Sequence, residues 1–207
     1  MKLISGKRIE SPLSHKTRPT SSKVREALIN ILGIKLRDAS WLDLCSGSGA
    51  MACEALQNGV KRVLAIEKQR ETAKTCKKNL IDVSNTMNQS IHIEVICNEL
   101  ISFLKKGPKN QKIKFVKDCQ NYQNKFDFVF LDPPYESELY EITQELLLSK
   151  QWIKESSTLI CECSSKSMPR IHNGWRLNKE KFYGSTSLIF LIPNQALSCS
   201  DDTDSMH

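Results

Sequence analysis

The stretch Asp43-Leu44-Cys45-Ser46-Gly47-Ser48-Gly49-Ala50 contains the end of a predicted strand, a glycine-rich turn and the start of a predicted helix. The apolar run Trp41–Leu44 predicts a short buried strand, and residues 49–58 predict a helix with Gly59 as its C-cap. The two glycines permit a tight turn and let a ligand approach the backbone N–H groups. The stretch therefore predicts a nucleoside-binding edge in an α/β fold.

Two carboxylates narrow the choice of cofactor. Glu67 ends the next predicted strand, 20 residues after Gly47, where a carboxylate can accept both hydroxyls of a ribose. Asp43 lies beside the ligand, where its charge would repel a pyrophosphate and attract an ammonium group. S-adenosylmethionine carries an ammonium group and no phosphate, so the pattern favours it over a nicotinamide dinucleotide. The alternative for Asp43 is a helix-capping or strand-end carboxylate.

Strands and helices alternate along the chain. The predicted strands cover residues 41–44, 62–66, 91–96, 126–131 and 158–163, and the predicted helices cover residues 21–32, 49–58, 69–81, 99–106 and 137–149, with Thr20 as the first N-cap. Two extended runs, 175–182 and 187–192, predict a terminal hairpin. This order predicts an α/β fold with a mostly parallel sheet, helices on both faces and antiparallel strands at one edge.

A second motif, Asp132-Pro133-Pro134-Tyr135, follows the apolar strand 126–131. Ligands of open parallel sheets bind beyond the carboxyl ends of the strands, so the motif should lie near Asp43 and Glu67. Asp132 and the Pro133 carbonyl can accept the two hydrogens of an exocyclic base amine, and Tyr135 can stack on a flipped-out base. Two prolines alone would indicate a rigid turn. Together with the glycine-rich turn, they predict methyl transfer to an amine.

The net charge of +7 is unevenly distributed over the 207 residues. Residues 1–37 have a net charge of +7 and residues 105–125 of +6, a pattern typical of phosphate binding. We expect a basic arm over residues 1–20, a methyltransferase domain over 21–194 with a Lys-rich loop insertion at about 105–125, and a disordered tail over 195–207. The predicted RNA contacts are Lys7, Arg8, Lys16, Arg18 and Arg25.

The cysteines and the apolar runs exclude other classes of protein. Eight cysteines occur without a Cys-x-x-Cys pair or a histidine at zinc spacing, which predicts free thiols and no metal site. Cys161 and Cys163 have the spacing of one strand face. No apolar run approaches the ~18–20 residues of a membrane span, and the N-terminus turns basic before a signal-peptide core could form. These features predict a cytoplasmic protein.

The motifs together resemble those of the bacterial 16S rRNA guanine-N2 methyltransferases, which are class I S-adenosylmethionine-dependent enzymes. The match runs in order from about residue 1 to 192, and it is carried by Arg18-Pro19-Thr20, Val24–Leu28, Gly47–Ala50, Glu54–Leu56, Ile66–Lys68, Asp132–Tyr135, and Lys181 with Tyr183, Gly184 and Thr186. The arm ahead of the glycine turn is the specific part, since Asp-Pro-Pro-Tyr alone is shared by several families. Gln69, the short arm and the Lys-rich stretch depart from the family pattern.

The resemblance implies a Rossmann-like, seven-stranded fold and a set of site residues. The implied catalytic residues are Asp132, Pro133, Pro134 and Tyr135, and the implied cofactor residues are Asp43, Ser46, Gly47, Ser48, Gly49, Glu67, Lys68 and Asn98. Asn98 would read the adenine edge, or alternatively cap the helix that follows it. The implied partner is 16S rRNA or a small-subunit assembly intermediate, bound by a monomer. Direct displacement from a sulfonium needs no metal.

Three other functions stay open from the sequence. An adenine-N6 methyltransferase acting on DNA or RNA would use the same loop, although 207 residues leave little room for a target-recognition domain. A non-catalytic RNA-binding assembly factor could keep the fold, but Asp43, Gly47, Gly49 and Asp132 are all intact. A nicotinamide oxidoreductase is disfavoured by Asp43.

Overall fold

The secondary structure is a regular alternation of strands and helices. A computed structural model describes residues 1–11, 20–87, 90–111, 113, 125–133 and 137–194. The strands are β1 (Ser40–Leu44), β2 (Arg62–Glu67), β3 (His92–Cys97), β4 (Phe126–Leu131), β5 (Ile153–Ser164), β6 (Trp175–Tyr183) and β7 (Thr186–Pro193). The helices are α1 (Ser22–Leu32), α2 (Ala50–Gln57), α3 (Arg70–Ser84), α4 (Leu100–Lys105) and α5 (Ser137–Ser149), with 3₁₀ turns at Gly33–Leu36 and Pro108–Asn110.

All seven strands join one sheet in the order β3-β2-β1-β4-β5-β7-β6. The first five strands pair in parallel, and β7 is antiparallel to both β5 and β6. The predicted α/β fold, with its mostly parallel sheet and terminal antiparallel hairpin, is therefore confirmed. Parallel strands end at one edge, so β1, β2, β4 and β5 bring their carboxyl ends together.

Several element boundaries differ from the predicted ones, among them those of α1, α3 and β5. Ser21, not Thr20, caps α1, and its side chain accepts the Val24 N–H. Helix α3 continues to residue 84 because Val83 extends its buried face. Strand β5 begins at Ile153, which pairs with Phe126. The polar residues between 153 and 158 hid this first half of the strand from a hydrophobicity pattern.

Each face of the sheet has its own hydrophobic core. The first face, which α1, α2 and α3 cover, presents Trp41, Phe128, Phe130, Ile160, Leu188 and Phe190. The second face, which α4 and α5 cover, presents Leu42, Leu44, Val129, Leu131, Cys161, Cys163, Ile189 and Leu191. Cys161 and Cys163 thus share a face, as predicted. Alternation along the strands places Asp43, Asp132 and Glu162 toward the first face at the carboxyl edge.

The N-terminal segment packs on the domain over residues 1–11. Leu3 and Ile9 are buried in the first-face core. Arg25 of α1 is only 2% exposed, and its guanidinium lies 3.2 Å from Glu54 and donates to the Lys2 carbonyl at 2.9 Å. The prediction that Arg25 contacts RNA is therefore wrong, because its charge is buried and neutralised inside the protein.

The described residues include six cysteines, and all six are free: positions 45, 53, 76, 97, 161 and 163. Within these same ranges, no group of three or more His, Cys, Asp and Glu side chains could hold a metal ion. None of the helices found there is both long and apolar enough to cross a membrane.

Candidate active site

A cavity of about 540 Å³ opens at the carboxyl edge of the sheet. Nine of the predicted site residues line it: Asp43, Ser46, Gly47, Ser48, Glu67, Lys68, Asn98, Asp132 and Pro133. Gly49 lies behind the lining as the N-cap of α2. Pro134 and Tyr135 fall outside the described residues. The sequence motifs, which are up to 90 residues apart in the chain, thus converge on one cavity.

The glycine-rich turn is held by the end of β2. Glu67 accepts the Gly47 N–H at 3.0 Å through one carboxylate oxygen and the Gln69 N–H at 2.8 Å through the other. Gly49 has a φ of +75°, and a Cβ there would lie 2.7 Å from the Cys76 Sγ of α3. Position 49 therefore requires glycine, because its backbone has a positive φ and α3 approaches it closely. Glu67 holds the turn in place by these hydrogen bonds and also lines the cavity.

Asn79 is a supporting residue that the sequence analysis missed. It is buried on α3, and its Nδ2 donates to the Ser48 carbonyl and to the Glu10 carbonyl, each at 2.9 Å. Its Oδ1 accepts the Glu10 N–H at 2.8 Å. A polar residue among the apolar positions of an amphipathic helix was the available signal. The side chain ties the N-terminal segment to the turn.

Asp43 is a buried carboxylate at the floor of the cavity. It is 1% exposed, and its Oδ2 has no hydrogen-bond partner within the described ranges. Burial raises the pKa of Asp43 to about 8, and the nearby Glu67 charge contributes to the increase. An unsatisfied buried carboxylate oxygen is costly, so a cationic or hydrogen-bond-donating ligand group would stabilise it.

Asp132 lies in an acidic and half-buried setting. The Thr20 hydroxyl donates a hydrogen bond to the Asp132 Oδ2 at 3.2 Å. Thr20 therefore contacts Asp132 instead of capping α1. Glu162 lies next to it, because Leu131 of β4 pairs with Cys161 of β5. Burial, followed by repulsion from Glu162, raises the pKa of Asp132 well above its usual range. Glu162 also lines the cavity, and only its position between two apolar residues of a strand could have revealed it.

Asn98 and Lys68 line the cavity on the β2–β3 side. The Asn98 Oδ1 accepts the Glu99 N–H at 2.8 Å. Glu99, not Asn98, caps α4 by accepting the N–H groups of Ile101 and Ser102. The capping alternative for Asn98 is therefore wrong. Its amide nitrogen has no hydrogen bond among the described residues that would prevent contact with a ligand.

The predicted RNA contacts in the N-terminal segment fall into separate groups. Lys7 is half-buried and donates to the Asp82 carbonyl of α3 and to the hydroxyl of Thr86, just after that helix. Arg8 is exposed. Lys16 and Arg18 lie outside the described residues, as does most of the Lys-rich stretch. Among the described residues that were predicted to contact RNA, Arg8 is exposed, whereas Lys7 is half-buried and Arg25 is buried.

Comparison with known proteins places the chain in a family. Residues 1–192 match the family model described as Conserved hypothetical protein 95. Ribosomal RNA small subunit methyltransferase D of Haemophilus influenzae is 33% identical over 183 residues, covering 88% of this chain and 86% of the relative. A solved Escherichia coli structure assigned as a candidate methyltransferase superposes with a TM-score of 0.72 at 27% identity, covering 93% of this chain and 97% of that one.

A more distant structure shares the fold alone. The RNA methyltransferase of Salinibacter ruber, solved in complex with S-adenosyl-L-homocysteine, superposes with a TM-score of 0.59 at 13% identity and covers 91% of this chain. The resemblance that the motifs indicated is confirmed by the family match and by the curated relative. The chain belongs to the Conserved hypothetical protein 95 family, together with the ribosomal RNA small subunit methyltransferase D proteins.

Proposed function

We propose that this protein transfers a methyl group from S-adenosylmethionine to the exocyclic N2 amine of a guanine in 16S rRNA. The observation that carries the proposal is the convergence of Asp43, Glu67 and Asp132 on one cavity at the carboxyl edge. The relatives named as small subunit rRNA methyltransferases support the reaction and the class of RNA. The choice of guanine N2 rests on the motif resemblance.

The cavity residues fit S-adenosylmethionine. The unsatisfied Oδ2 of Asp43 suits the ammonium group of the cofactor. Both Glu67 oxygens already accept a backbone N–H, but each keeps a lone pair for a ribose hydroxyl. Asn98 can both donate to and accept from an adenine edge. When bound, the cofactor supplies an electrophilic methyl group on its sulfonium.

We propose that Asp132 activates the target amine. The lone pair of an exocyclic amine is delocalised into the base, so the nitrogen is a weak nucleophile. Asp132 and the Pro133 carbonyl can each accept one N–H, which orients the nitrogen and stabilises the positive charge that grows on it as the methyl group arrives. The departing proton passes to the Asp132–Glu162 pair and then to water. Tyr135 is proposed to stack on the base.

Methyl transfer with a labelled donor tests the function directly. Tritiated S-adenosylmethionine is incubated with the protein and with small ribosomal subunits, naked 16S rRNA or DNA, and the products are digested to nucleosides. We expect N2-methylguanosine from one of the two RNA substrates. N6-methyladenosine would contradict the guanine assignment, and RNA binding without transfer would indicate the assembly-factor alternative.

Cofactor affinity should depend on pH through Asp43. Near pH 7 the free carboxyl, with its pKa of about 8, is largely protonated, and binding of an ammonium group would favour its ionised form. Binding should therefore release a proton, and the affinity should rise with pH up to about 8. Above that pH the cofactor's own α-amino group, with a pKa of about 8, loses its charge and the affinity should fall.

Titration calorimetry in buffers of different ionisation enthalpy measures the released proton. The matched variant Asp43→Asn keeps the shape of the side chain but cannot ionise. We expect it to bind more weakly and to lose the rise in affinity below pH 8. A wild-type protein that binds the cofactor with no proton release between pH 6 and 8 would refute the role of Asp43.

A further inference from the structure

Strand β6 forms one edge of the sheet and carries an ordered set of charges. In an antiparallel pair, residues opposite each other project to the same face. Lys181 is opposite Leu188 and Lys179 is opposite Phe190, and both partners belong to the first-face core. Arg176 is opposite Ile192, two residues further along β7 in the same alternation. The three cations therefore lie on the first face, and we name them the β6 cation row.

A backbone irregularity creates this row. The register shifts between Leu177 and Lys179, so that Leu177 is opposite Leu191 of the second-face core. Without the extra residue, Lys179 would project to the second face. β-bulges redirect side chains in this way. The shift thus places Lys179 and Lys181 on the same side of the strand as Arg176.

The opposite side of β6 has a different chemical character. The second face presents Leu177, Glu180 and Phe182, of which Phe182 is 62% exposed. Burial, followed by the charge of Glu180, raises the pKa of Cys163, a residue of the second-face core, which agrees with this placement. The acid of the strand is therefore separated from its cations. The row is exposed to solvent, and none of its members forms an ion pair with a described carboxylate.

The row leads to the cavity. Tyr183 is opposite Thr186, follows Lys181 on the first face and lines the cavity, as Thr186 does. Asp132 and Glu162 project to the same face at the cavity itself. Asp132 and Glu162 thus place negative charge at the site where the base amine is proposed to bind, and positive charge extends away from it along the edge strand.

We infer that the β6 cation row binds the phosphate backbone of the rRNA strand that carries the target base. The inference rests on the proposed function, since it requires an RNA substrate with one base inserted into the cavity. Charge complementarity selects the occupant, because three exposed cations in line with the cavity match a polyanion. None of the three was among the RNA contacts predicted from the sequence.

Two charge-matched triple variants test the inference. One replaces the row with glutamine: Arg176→Gln, Lys179→Gln and Lys181→Gln. The control replaces three exposed cations that precede the amino ends of β1 and β5, away from the carboxyl ends that form the cavity: Lys35→Gln, Arg37→Gln and Lys150→Gln. Both variants lose three positive charges, so they differ only in where the charge is removed. Melting temperature and cofactor affinity verify that each variant is folded.

The readout is the affinity for naked 16S rRNA as a function of KCl concentration. We expect the row variant to flatten the plot of log affinity against log salt by about 2, and to bind about 10–100-fold more weakly at 0.1 M salt. The control should keep nearly the wild-type slope. In methyl transfer, the row variant should raise the KM for RNA and leave kcat nearly unchanged.

Two results would overturn the inference while leaving the proposed function intact. Equal slopes for both variants, with a wild-type protein that methylates rRNA, would assign the row to the protection of an edge strand from aggregation. A fall in kcat without a change in RNA affinity would also contradict backbone binding. Failure of the wild-type protein to methylate any RNA would instead reject the proposed function.

Discussion

Replacing Asp132 with alanine should slow methyl transfer by about 10²–10⁴-fold, the usual effect of removing a positioned acid–base or electrostatic group. The physical reason is that the target nitrogen would lose an acceptor for its N–H and the charge that stabilises its developing cation. Cofactor affinity should stay close to that of the wild type, because Asp43 and Glu67 are proposed to hold the cofactor. Single-turnover transfer to 16S rRNA measures the chemical step.

The surroundings of Asp132 supply the controls. Substitution of Asp132 should not lower the melting temperature, because it removes the repulsion between this carboxylate and that of Glu162. Thr20→Val removes one hydrogen bond to Oδ2 and keeps the shape, so it should slow transfer far less. A rate for Asp132→Ala within a few-fold of the wild type would exclude this residue from the chemistry.

Replacing Arg25 with alanine should destabilise the protein by about 3–5 kcal/mol, the typical cost of removing one partner from a buried ion pair. Arg25 and Glu54 are both nearly inaccessible to solvent, so the variant leaves a carboxylate buried without its cation. Urea denaturation measures the free energy of unfolding. The loss should shrink as the pH falls, because burial already raises the pKa of Glu54 and its protonated form needs no cation.

Two further variants separate the ion pair from ordinary surface charge. Lys61→Ala breaks an exposed pair with Asp38 and should change the stability little, since solvent screens such pairs. The double variant Arg25→Met with Glu54→Gln removes both charges and should recover much of the lost stability. A single Arg25→Ala variant as stable as the wild type would contradict the buried pair.

Local patterns were sufficient to predict most of the fold. Strand β4 and helix α5 have the bounds that apolar runs and helical spacing indicated. The glycine turn and Glu67 were predicted to lie close together, and the Gly47 N–H indeed donates a hydrogen bond to Glu67. These features follow from sequence because they depend on periodicity and on motif spacing.

The residues that sequence reasoning missed depend on long-range packing. Arg25 carries a charge that suits RNA, and only the fold shows that Glu54 and the Lys2 carbonyl enclose it. Thr20 is a good N-cap by composition, but the neighbouring Ser21 takes that role and leaves the threonine hydroxyl for Asp132. Contacts between positions 112 residues apart cannot be inferred from local preference.

The hydrogen bonds of the Asn79 side chain have a consequence for the order of folding. Its hydrogen bonds join Glu10 to α3 across 69 residues and Ser48 to α3 across 31 residues. Closing such long loops costs chain entropy before any contact repays it, so non-local contacts form slowly. The glycine turn therefore acquires its final support only after both the N-terminal segment and α3 have docked. We expect the cofactor end of the molecule to be among the last regions to order, after the central strands have paired.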